Sequence, residues 1–210
     1  MGISCKVIPA GYYDANCIIV SDDAANAWIV DPGGDADIIA ERVKAAGLTP
    51  RRILCTHGHI DHIFGLDGLL AAFPGVPVMM HKGDAAWCFT EVNLLPPFPH
   101  LPARPETLAF YGDGETITDG GLSAAVMHTP GHSPGSVCIA LDGGPLLSGD
   151  TLFQRSIGRY DLPGGDYAQL TASLTRLTAL DGATKVIPGH GGETTIGDEI
   201  KWNPYLQQMR

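Results

Sequence analysis

Four side chains of the kinds that bind metal ions lie within six residues, directly after a strand predicted over residues 52–55: His57, His59, Asp61 and His62. On a loop, the spacing of His57 and His59 can aim two imidazoles at one point. Asp61 and His62 open a predicted helix and therefore turn toward a second point nearby. A lone histidine is usually a core or surface residue, but this clustering is specific enough to indicate metal binding.

Three further candidate ligands, His132, Asp150 and His190, also follow predicted strands. Loops on a rigid scaffold can bring such distant residues together. With the first cluster, they offer five imidazoles and two carboxylates but no thiolate. This set is too large for one tetrahedral zinc and suits two zinc-class ions that share a bridging carboxylate. We therefore predict two divalent metal ions per chain, zinc first, with iron or manganese as alternatives.

Alternating strands and helices must position these ligands, and the spacing of apolar residues predicts where they lie. Pro and Gly clusters mark the turns between them. Five of the 16 prolines fall in residues 87–105, so this stretch is predicted to be an ordered surface loop that could act as a lid. Strands are predicted at residues 17–20, 27–30, 52–55, 76–80, 122–127, 137–141, 145–148 and 185–187, and helices at 35–47, 61–73, 166–180 and 195–202.

Length and charge restrict the function classes. The 210 residues are 44% hydrophobic and 17% charged, which predicts one folded domain over residues 1–210. A formal net charge of −10 repels polyanions and argues against a nucleic-acid partner. No G-x-G-x-x-G or G-x-x-x-x-G-K-[ST] pattern supports nucleotide binding. The expected partner is a small-molecule substrate, with the protein a monomer or small homo-oligomer.

The N-terminal residues and the cysteines predict the cellular compartment of the protein. No apolar run reaches 18 residues and the start lacks the basic and apolar regions of a signal peptide, so we expect a cytoplasmic protein without a membrane partner. The five cysteines are odd in number and form no C-x-x-C pair. They are therefore predicted to be reduced and mostly buried.

The ordered set of ligands resembles the signature of the metallo-β-lactamase superfamily, H-x-H-x-D-H followed by single downstream His, Asp and His residues. The resemblance implies an α/β fold, a four-layer αβ/βα sandwich of two mixed β-sheets flanked by helices. It also implies one metal on His57, His59 and His132, a second on Asp61, His62 and His190, and a bridging Asp150. Asp31, at the end of its strand, resembles a residue of the family that orients a ligand.

Within the superfamily, four segments are similar to glyoxalase II and to small glyoxalase II-like hydrolases: T-H-G-H-I-D-H, T-P-G-H-S-P-G-S, G-D-T-L-F and P-G-H-G. Arg159 falls where glyoxalase II has a lysine that contacts the glutathione carboxylate, so it is a candidate substrate-binding residue. Two departures concern glutathione. Asp161 replaces a substrate-binding tyrosine, and only 20 residues follow His190, so no separate C-terminal helical glutathione-binding domain is expected.

The resemblance implies a dinuclear hydrolase of thioesters such as S-lactoylglutathione. Two cations lower the pKa of a bridging water from 15.7 to about 7, and the resulting metal-bound hydroxide is the expected nucleophile, with Asp61 as a catalytic residue that orients the water. A thioester suits such a site because its leaving group is a thiolate. The parent thiol has a pKa of about 8.5, so the thiolate leaves without a dedicated acid.

Three alternatives stay open. Gly158-Arg159-x-Asp161 resembles the Gly-Arg-Thr-Asp of persulfide dioxygenases, which hold one iron with two His and an Asp, although that family typically has Cys where this chain has Gly58. Hydrolysis of lactones or β-lactams is the second alternative. A metal-binding protein without catalytic activity is the third.

Overall fold

Two six-stranded sheets form the framework of the computed structural model, which describes residues 2–106 and 108–209. In the first sheet the strands follow chain order. Its first two pairings are antiparallel and its last three are parallel, so the sheet is mixed. These strands are β1 (Ile3–Ala10), β2 (Ala15–Asp22), β3 (Asn26–Val30), β4 (Thr49–Leu54), β5 (Val78–His81) and β6 (Leu108–Tyr111).

The second sheet is also mixed, because only one of its pairings is parallel, the one between its strands at Leu146–Gly149 and Lys185–Pro188. A short ribbon of β11 (Leu152–Phe153) and β12 (Ser156–Ile157) lies apart from both sheets. Across the second sheet the order is β14 (Thr194–Thr195), β13 (Lys185–Pro188), β10 (Leu146–Gly149), β9 (Val137–Leu141), β8 (Leu122–His128) and β7 (Thr116–Asp119).

Helices cover the outer face of each sheet. Those of the first half pack on the first sheet and those after residue 166 pack on the second. Within the described residues, no helix combines the length and apolar character needed to cross a bilayer. The helices are α1 (Ala36–Ala45), α2 (Ile60–Ile63), α3 (Leu66–Ala72), α4 (Lys82–Ala85), α5 (Tyr167–Thr178), α6 (Ile196–Trp202) and α7 (Pro204–Gln208).

Alternation along β2 shows how the layers are built. Cys17 and Ile19 face the helices of the first half, whereas Ile18 and Val20 face the second sheet. Trp28 is fully buried between the sheets. Since successive side chains of a strand point to opposite faces, a strand buried on both sides reads as an unbroken apolar run. The predicted four-layer arrangement of two mixed sheets flanked by helices is confirmed.

One predicted helix differs from the structure, and one edge strand was not predicted. The single helix predicted over residues 61–73 is two helices, α2 and α3, separated at Gly65. The amide of Gly65 donates to the Pro32 carbonyl at 2.7 Å, and a Cβ on Gly65 would lie 2.8 Å from the same oxygen. Strand β1 was not predicted, because its half-buried residues and Pro9 give a weak pattern that suits an edge strand.

The proline-rich stretch at residues 87–105 is an ordered loop, as predicted, with one 3-10 turn at Glu91–Asn93. The ring of Phe98 packs edge-on against Tyr12, Tyr13 and Phe64 at centroid distances of 5.1–5.5 Å. The Tyr13 hydroxyl also donates to the Pro96 carbonyl. These contacts anchor the loop to the turn between β1 and β2.

The prediction for the cysteines is confirmed. All five are free thiols, four are buried and Cys5 is half-buried. Burial raises the pKa of the Cys138 thiol to about 11 and that of Cys88 to about 12. Neither thiol is therefore ionised near neutral pH, which fits a packing role.

Candidate metal centre

The seven predicted ligands lie in one cluster beyond the ends of strands from both sheets. Four come from the segment after β4, one from the loop between β8 and β9, and one each from the ends of β10 and β13. Each sheet thus supplies part of the cluster, and the packing of the two sheets brings the parts together. The residues of the cluster are His57, His59, Asp61, His62, His132, Asp150 and His190.

His57, His59 and His132 form the first set, here called the three-histidine group. Their ligand nitrogens all lie within 4.8 Å of one another, and all three residues are buried. His59 Nδ1 and His132 Nε2 are 2.9 Å apart. Three imidazole nitrogens converging on one point are a set that zinc and other first-row metals bind.

Asp61, His62 and His190 form the second set, here called the Asp61 group. Their ligand atoms also lie within 4.8 Å of one another. His190 Nε2 is 3.2 Å from Asp61 Oδ2, and His62 Nε2 is 3.2 Å from His190 Nε2. This set is more open than the first, since the His190 side chain is 28% exposed.

Asp150 lies between the two groups. Its Oδ2 is 3.5 Å from His132 Nε2, and its Oδ1 is 3.4 Å from His62 Nε2. Among the described residues, two buried atoms of the cluster, Asp150 Oδ1 and His57 Nε2, have no hydrogen-bond partner. Buried polar atoms are rarely left unpaired, so these two fit residues that would hold cations. The arrangement agrees with the bridging position that the resemblance implied for Asp150.

Four of the five imidazoles use their second ring nitrogen in a hydrogen bond that sets the ring orientation, a common feature of metal-binding histidines. For His132 and His190 the partner is a carbonyl, so Nδ1 carries the proton and Nε2 keeps its lone pair. The pairs are His57 Nδ1 with Thr56 Oγ1 (3.1 Å), His62 Nδ1 with Asp31 Oδ2 (3.1 Å), His132 Nδ1 with Arg159 O (2.7 Å) and His190 Nδ1 with Tyr13 O (3.2 Å).

Asp31 lies behind His62, on the side away from the cluster. Its Oδ1 accepts the Thr56 amide and its Oδ2 accepts the Thr56 hydroxyl, both at 2.6 Å. The residue is buried and has a φ of 50°, in the left-handed region. A non-glycine residue there costs backbone strain, which the hydrogen bonds to Thr56 and His62 offset. The carboxylate thus fixes the orientation of the His62 ring.

Burial lowers the pKa values of two members of the three-histidine group, His57 and His59. It takes the pKa of His57 well below the ordinary histidine value, and the neighbouring imidazoles lower it further. Burial and the nearby His132 lower the pKa of His59 to about 3. These two rings are therefore neutral near pH 7 and offer lone pairs without first losing a proton.

In the Asp61 group, the pKa values of the two histidines are raised instead. Burial alone would lower the pKa of His62, but Asp150, Asp61 and Asp31 together raise it to about 10. Burial would raise the pKa of Asp61, yet His62 and His190 hold it well below the ordinary aspartate value. Carboxylates around a histidine stabilise positive charge, which is the property a cation site requires.

Sequence reasoning missed a fully buried carboxylate, Asp84, that joins two ligand-bearing loops. Its Oδ2 accepts the Gly58 amide at 2.8 Å and the Ser133 hydroxyl at 2.6 Å. Its Oδ1 accepts the Gly135 amide at 2.6 Å and the Trp87 indole N–H at 3.2 Å. Gly58 lies between His57 and His59, so Asp84 ties their loop to the loop of His132.

The signal for Asp84 was present in the sequence. Like Asp31 and Asp150, it comes shortly after a buried strand, in this case β5. No spacing motif links it to the ligands, because two of its three contacts to their loops are to backbone amides, which leave no residue signature. Asn93 was missed for the same reason: its side chain donates to the Gly58 carbonyl at 2.8 Å and accepts the Ile60 amide at 3.2 Å.

Five of the seven candidate ligands line a cleft of about 520 Å³: His59, Asp61, His132, Asp150 and His190. Arg159 also lines the cleft, and its guanidinium pairs with Asp161 through contacts of 2.9 and 3.0 Å. Both side chains of this pair are more than 60% exposed. Tyr13, Leu95 and Phe153 supply part of the wall. The cleft is large enough for a small molecule and combines apolar walls with few charged groups.

Residues 10–190 match the Metallo-beta-lactamase superfamily. The chain belongs to this superfamily. A curated relative, the hydroxyacylglutathione hydrolase GloC of Haemophilus influenzae, is 35% identical over 214 residues, which cover 96% of this chain and 97% of that protein.

Two solved structures have backbones similar to that of this chain and support the fold assignment. The BLEG-1 B3 metallo-β-lactamase has a TM-score of 0.89 and 39% identity over 97% of this chain and 99% of that one. TTHA1623 in a di-iron-bound form has a TM-score of 0.80 and 34% identity, over 96% of this chain and 100% of that one. The sandwich described above is therefore the metallo-β-lactamase fold, and the His-rich cluster lies in a metal-binding superfamily of hydrolases.

Proposed function

We propose that the protein is a cytoplasmic dinuclear metal-dependent hydrolase of small thioesters such as S-lactoylglutathione. The observation that carries this proposal is the position of Asp150, which contacts both ligand groups at the base of a cleft that also holds Arg159. The relationship to the hydroxyacylglutathione hydrolase GloC supports the choice of thioester.

The three-histidine group would hold one metal ion and the Asp61 group the other, with Asp150 shared between them. Two divalent cations supply Lewis acidity and lower the pKa of water at the site. Asp61, whose side chain is 15% exposed, would accept a hydrogen bond from the attacking water and orient it. Arg159 would bind a carboxylate of the substrate at the mouth of the cleft.

A thioester suits this cleft because the leaving thiolate needs no proton donor. Among the described residues that line the cleft there is no Lys, Cys or Glu. An amide, whose nitrogen must be protonated before it leaves, would place a greater demand on the same residues.

The choice of metal is a separate part of the proposal. Imidazole and carboxylate donors suit zinc, iron and manganese, and the di-iron form of TTHA1623 supports iron in a relative. We propose two divalent ions with zinc as the first candidate, to be identified by elemental analysis of the purified protein.

The deciding experiment combines metal quantification with turnover on four substrates: S-lactoylglutathione, a lactone, a β-lactam and glutathione persulfide. We expect two metal ions per chain and a kcat/KM for the thioester at least 100-fold above that for the others. A protein that holds two metals and does not hydrolyse the thioester would overturn the proposal.

Hydrolysis of β-lactams is a second candidate, favoured by the 39% identity to the BLEG-1 B3 metallo-β-lactamase. The same panel separates the two activities. A kcat/KM for the β-lactam equal to or above that for the thioester would favour this candidate.

Persulfide oxidation is a further candidate because of the Gly158-Arg159-x-Asp161 segment. The packing around Gly58 opposes it. A Cβ on Gly58 would lie 2.7 Å from Cys88 Cβ and 2.8 Å from Asp84 Cβ, so the cysteine typical of that family has no room here. Oxygen consumption with glutathione persulfide by a protein that carries one iron would favour this candidate over hydrolysis.

A further inference from the structure

Asn16, near the start of β2, carries a buried polar side chain that no part of the proposed mechanism uses. The residue is 4% exposed, and its Nδ2 donates to the Pro188 carbonyl at 2.9 Å and to the Gly191 carbonyl at 3.0 Å. Its backbone amide donates to the Gly189 carbonyl at 2.7 Å. These three acceptors lie on either side of His190, so one residue holds the chain before and after that candidate ligand.

The three hydrogen bonds cross from one sheet to the other. Asn16 lies in the first sheet, whereas His190 follows β13 of the second. Within the second sheet, the Gly189 amide donates to the Gly149 carbonyl at 2.8 Å, which fixes the loop on the side of β10. Asn16 supports the loop from the opposite sheet, and its contact with Gly191 lies beyond His190 along the chain.

The imidazole of His190 is held by the same hairpin of β1 and β2. The Tyr13 carbonyl, three residues before Asn16, accepts the His190 Nδ1–H at 3.2 Å, which leaves Nε2 for a metal ion. The His190 side chain is 28% exposed, so packing confines this ring less than the buried ring of His57. The direction of Nε2 therefore depends on hydrogen bonds from the hairpin.

The turn between β1 and β2 is in contact, through one loop, with the backbone of Asp61, the partner of His190 in the Asp61 group. Gly11 in this turn has a φ of 74°, and a Cβ there would lie 2.3 Å from the Gly33 carbonyl oxygen. A Cβ on Gly33 would in turn lie 2.0 Å from the Asp61 carbonyl oxygen. The hairpin can therefore set the position of His190 relative to Asp61, whose Oδ2 is 3.2 Å from His190 Nε2.

We propose that Asn16 is a positioning residue for the metal ion of the Asp61 group and that it acts through His190. Its side chain is neutral and is not among the described residues that line the cleft, so it adds no charge to the site. Its effect on metal binding must come from holding residues 188–191 in place. Loss of such an outer partner typically lowers metal affinity about 10–100-fold. The inference rests on the metal centre of the proposed function and does not depend on the substrate.

Two-site metal titration by calorimetry tests this role without turnover. Asn16→Ala should bind the ion of the Asp61 group about tenfold more weakly, with an unchanged affinity at the three-histidine group. Asn16→Ser has one side-chain donor in place of two, so we expect a smaller loss. Asn26→Ala is the matched control and should keep both affinities. Asn26 is also buried and donates to Asp22 Oδ2 at 2.7 Å, but neither residue is among the described residues that line the cleft.

A double-mutant cycle with His190→Ala shows whether Asn16 acts through that ligand. Once the imidazole is absent, Asn16→Ala should cause no further loss of affinity at the Asp61 group, because no ring is left to position. A further tenfold loss in this background would overturn the role, since it would reveal an effect through the fold in general. An unchanged affinity in both Asn16 variants would overturn it as well.

Turnover of S-lactoylglutathione by the wild type tests the proposed function separately. If the thioester is hydrolysed and the metal affinities do not depend on Asn16, the positioning role alone is rejected. If the cycle gives the expected result without hydrolysis, the substrate is rejected and the role of Asn16 stands. If the wild type binds one ion per chain, the dinuclear proposal fails, and the same cycle on that ion decides the role of Asn16.

Discussion

The three-histidine group and the Asp61 group share Asp150 but are held by the protein in different ways. The first is buried, consists of imidazoles, and depends on backbone amides tied to Asp84. The second is more exposed, contains a carboxylate, and depends on Asp31 behind His62. The two halves of one candidate centre therefore have different main supports, with one link between them, since Asp31 also accepts the Thr56 hydroxyl that contacts His57.

This difference has a chemical consequence. Burial keeps His57 and His59 neutral, whereas carboxylates raise the pKa of His62 to about 10. The buried half is suited to hold a cation with neutral donors. The open half brings negative charge and the water-facing Asp61, so it is the half at which the attacking water would be oriented.

The largest effect is expected from Asp150→Ala, because Asp150 is the side chain common to both groups. Removing it should lower metal content and activity together, with activity reduced more than about 100-fold, since a lost ligand outweighs the 10–100-fold typical of a lost outer partner. Elemental analysis and initial rates on S-lactoylglutathione measure the two effects. A fully active variant with two metals would show that Asp150 does not bridge.

Asp84→Asn should weaken metal binding at the three-histidine group and leave the Asp61 group unchanged. An amide cannot accept from all four donors, so at least one buried donor loses its partner, at a cost of about 1–3 kcal/mol in the free energy of unfolding. The loops of His57 and His132 then lose their common anchor. We expect metal content to fall from two ions per chain toward one, as measured by titration with Co(II).

Asp22→Asn is the control for the Asp84 experiment. Asp22 is also a buried carboxylate that accepts several hydrogen bonds, including those of Asn26 Nδ2 and the Gly121 amide, both at 2.7 Å, but it is not among the residues that line the cleft. The Asp22→Asn variant should have a lower free energy of unfolding and an unchanged metal content. Equal metal loss in both variants would mean that Asp84 acts only through global stability.

Asp31→Asn should weaken metal binding at the Asp61 group, the other half of the candidate centre. The amide would keep the shape of the side chain and lose the charge that orients His62 and stabilises its positive environment. We expect about tenfold lower affinity for the ion of the Asp61 group and a smaller loss at the three-histidine group, which Asp31 reaches only through Thr56. Two-site metal titration monitored by calorimetry resolves the two constants, and a loss confined to the buried site would contradict the assignment.

The sequence was informative about the candidate ligands because their clustering leaves a short-range pattern. His57 to His62 lie in one segment, and the remaining three each follow a buried strand. The layers were predictable for a related reason, since strands such as β2, buried on both faces, read as apolar runs. Local patterns thus predicted most of the fold, and they named every residue that the structure brings together in the candidate cluster.

What the sequence did not reveal depends on tertiary contacts. Asp84 acts on the amides of Gly58 and Gly135, which are 26 and 51 positions away along the chain, and backbone amides have no residue signature. The break between α2 and α3 depends on the approach of Gly65 to the Pro32 carbonyl. A groove of about 470 Å³ lies between residues 156–161 and Tyr205 of α7. It requires α7 to lie beside that segment, which no local pattern indicates.

The smallest effect is expected from Arg159→Ala, since Arg159 contacts neither ligand group through its exposed side chain. Its guanidinium is at the cleft, while its backbone carbonyl, which accepts from His132 Nδ1, is retained in the variant. The KM for S-lactoylglutathione should therefore rise about tenfold, with kcat and metal content unchanged. S-lactoyl-N-acetylcysteamine, a thioester without a carboxylate, is the matched substrate and should show no change. Unchanged Michaelis constants for both substrates would reject the role of Arg159, and a loss of metal would place its side chain within the support of the three-histidine group.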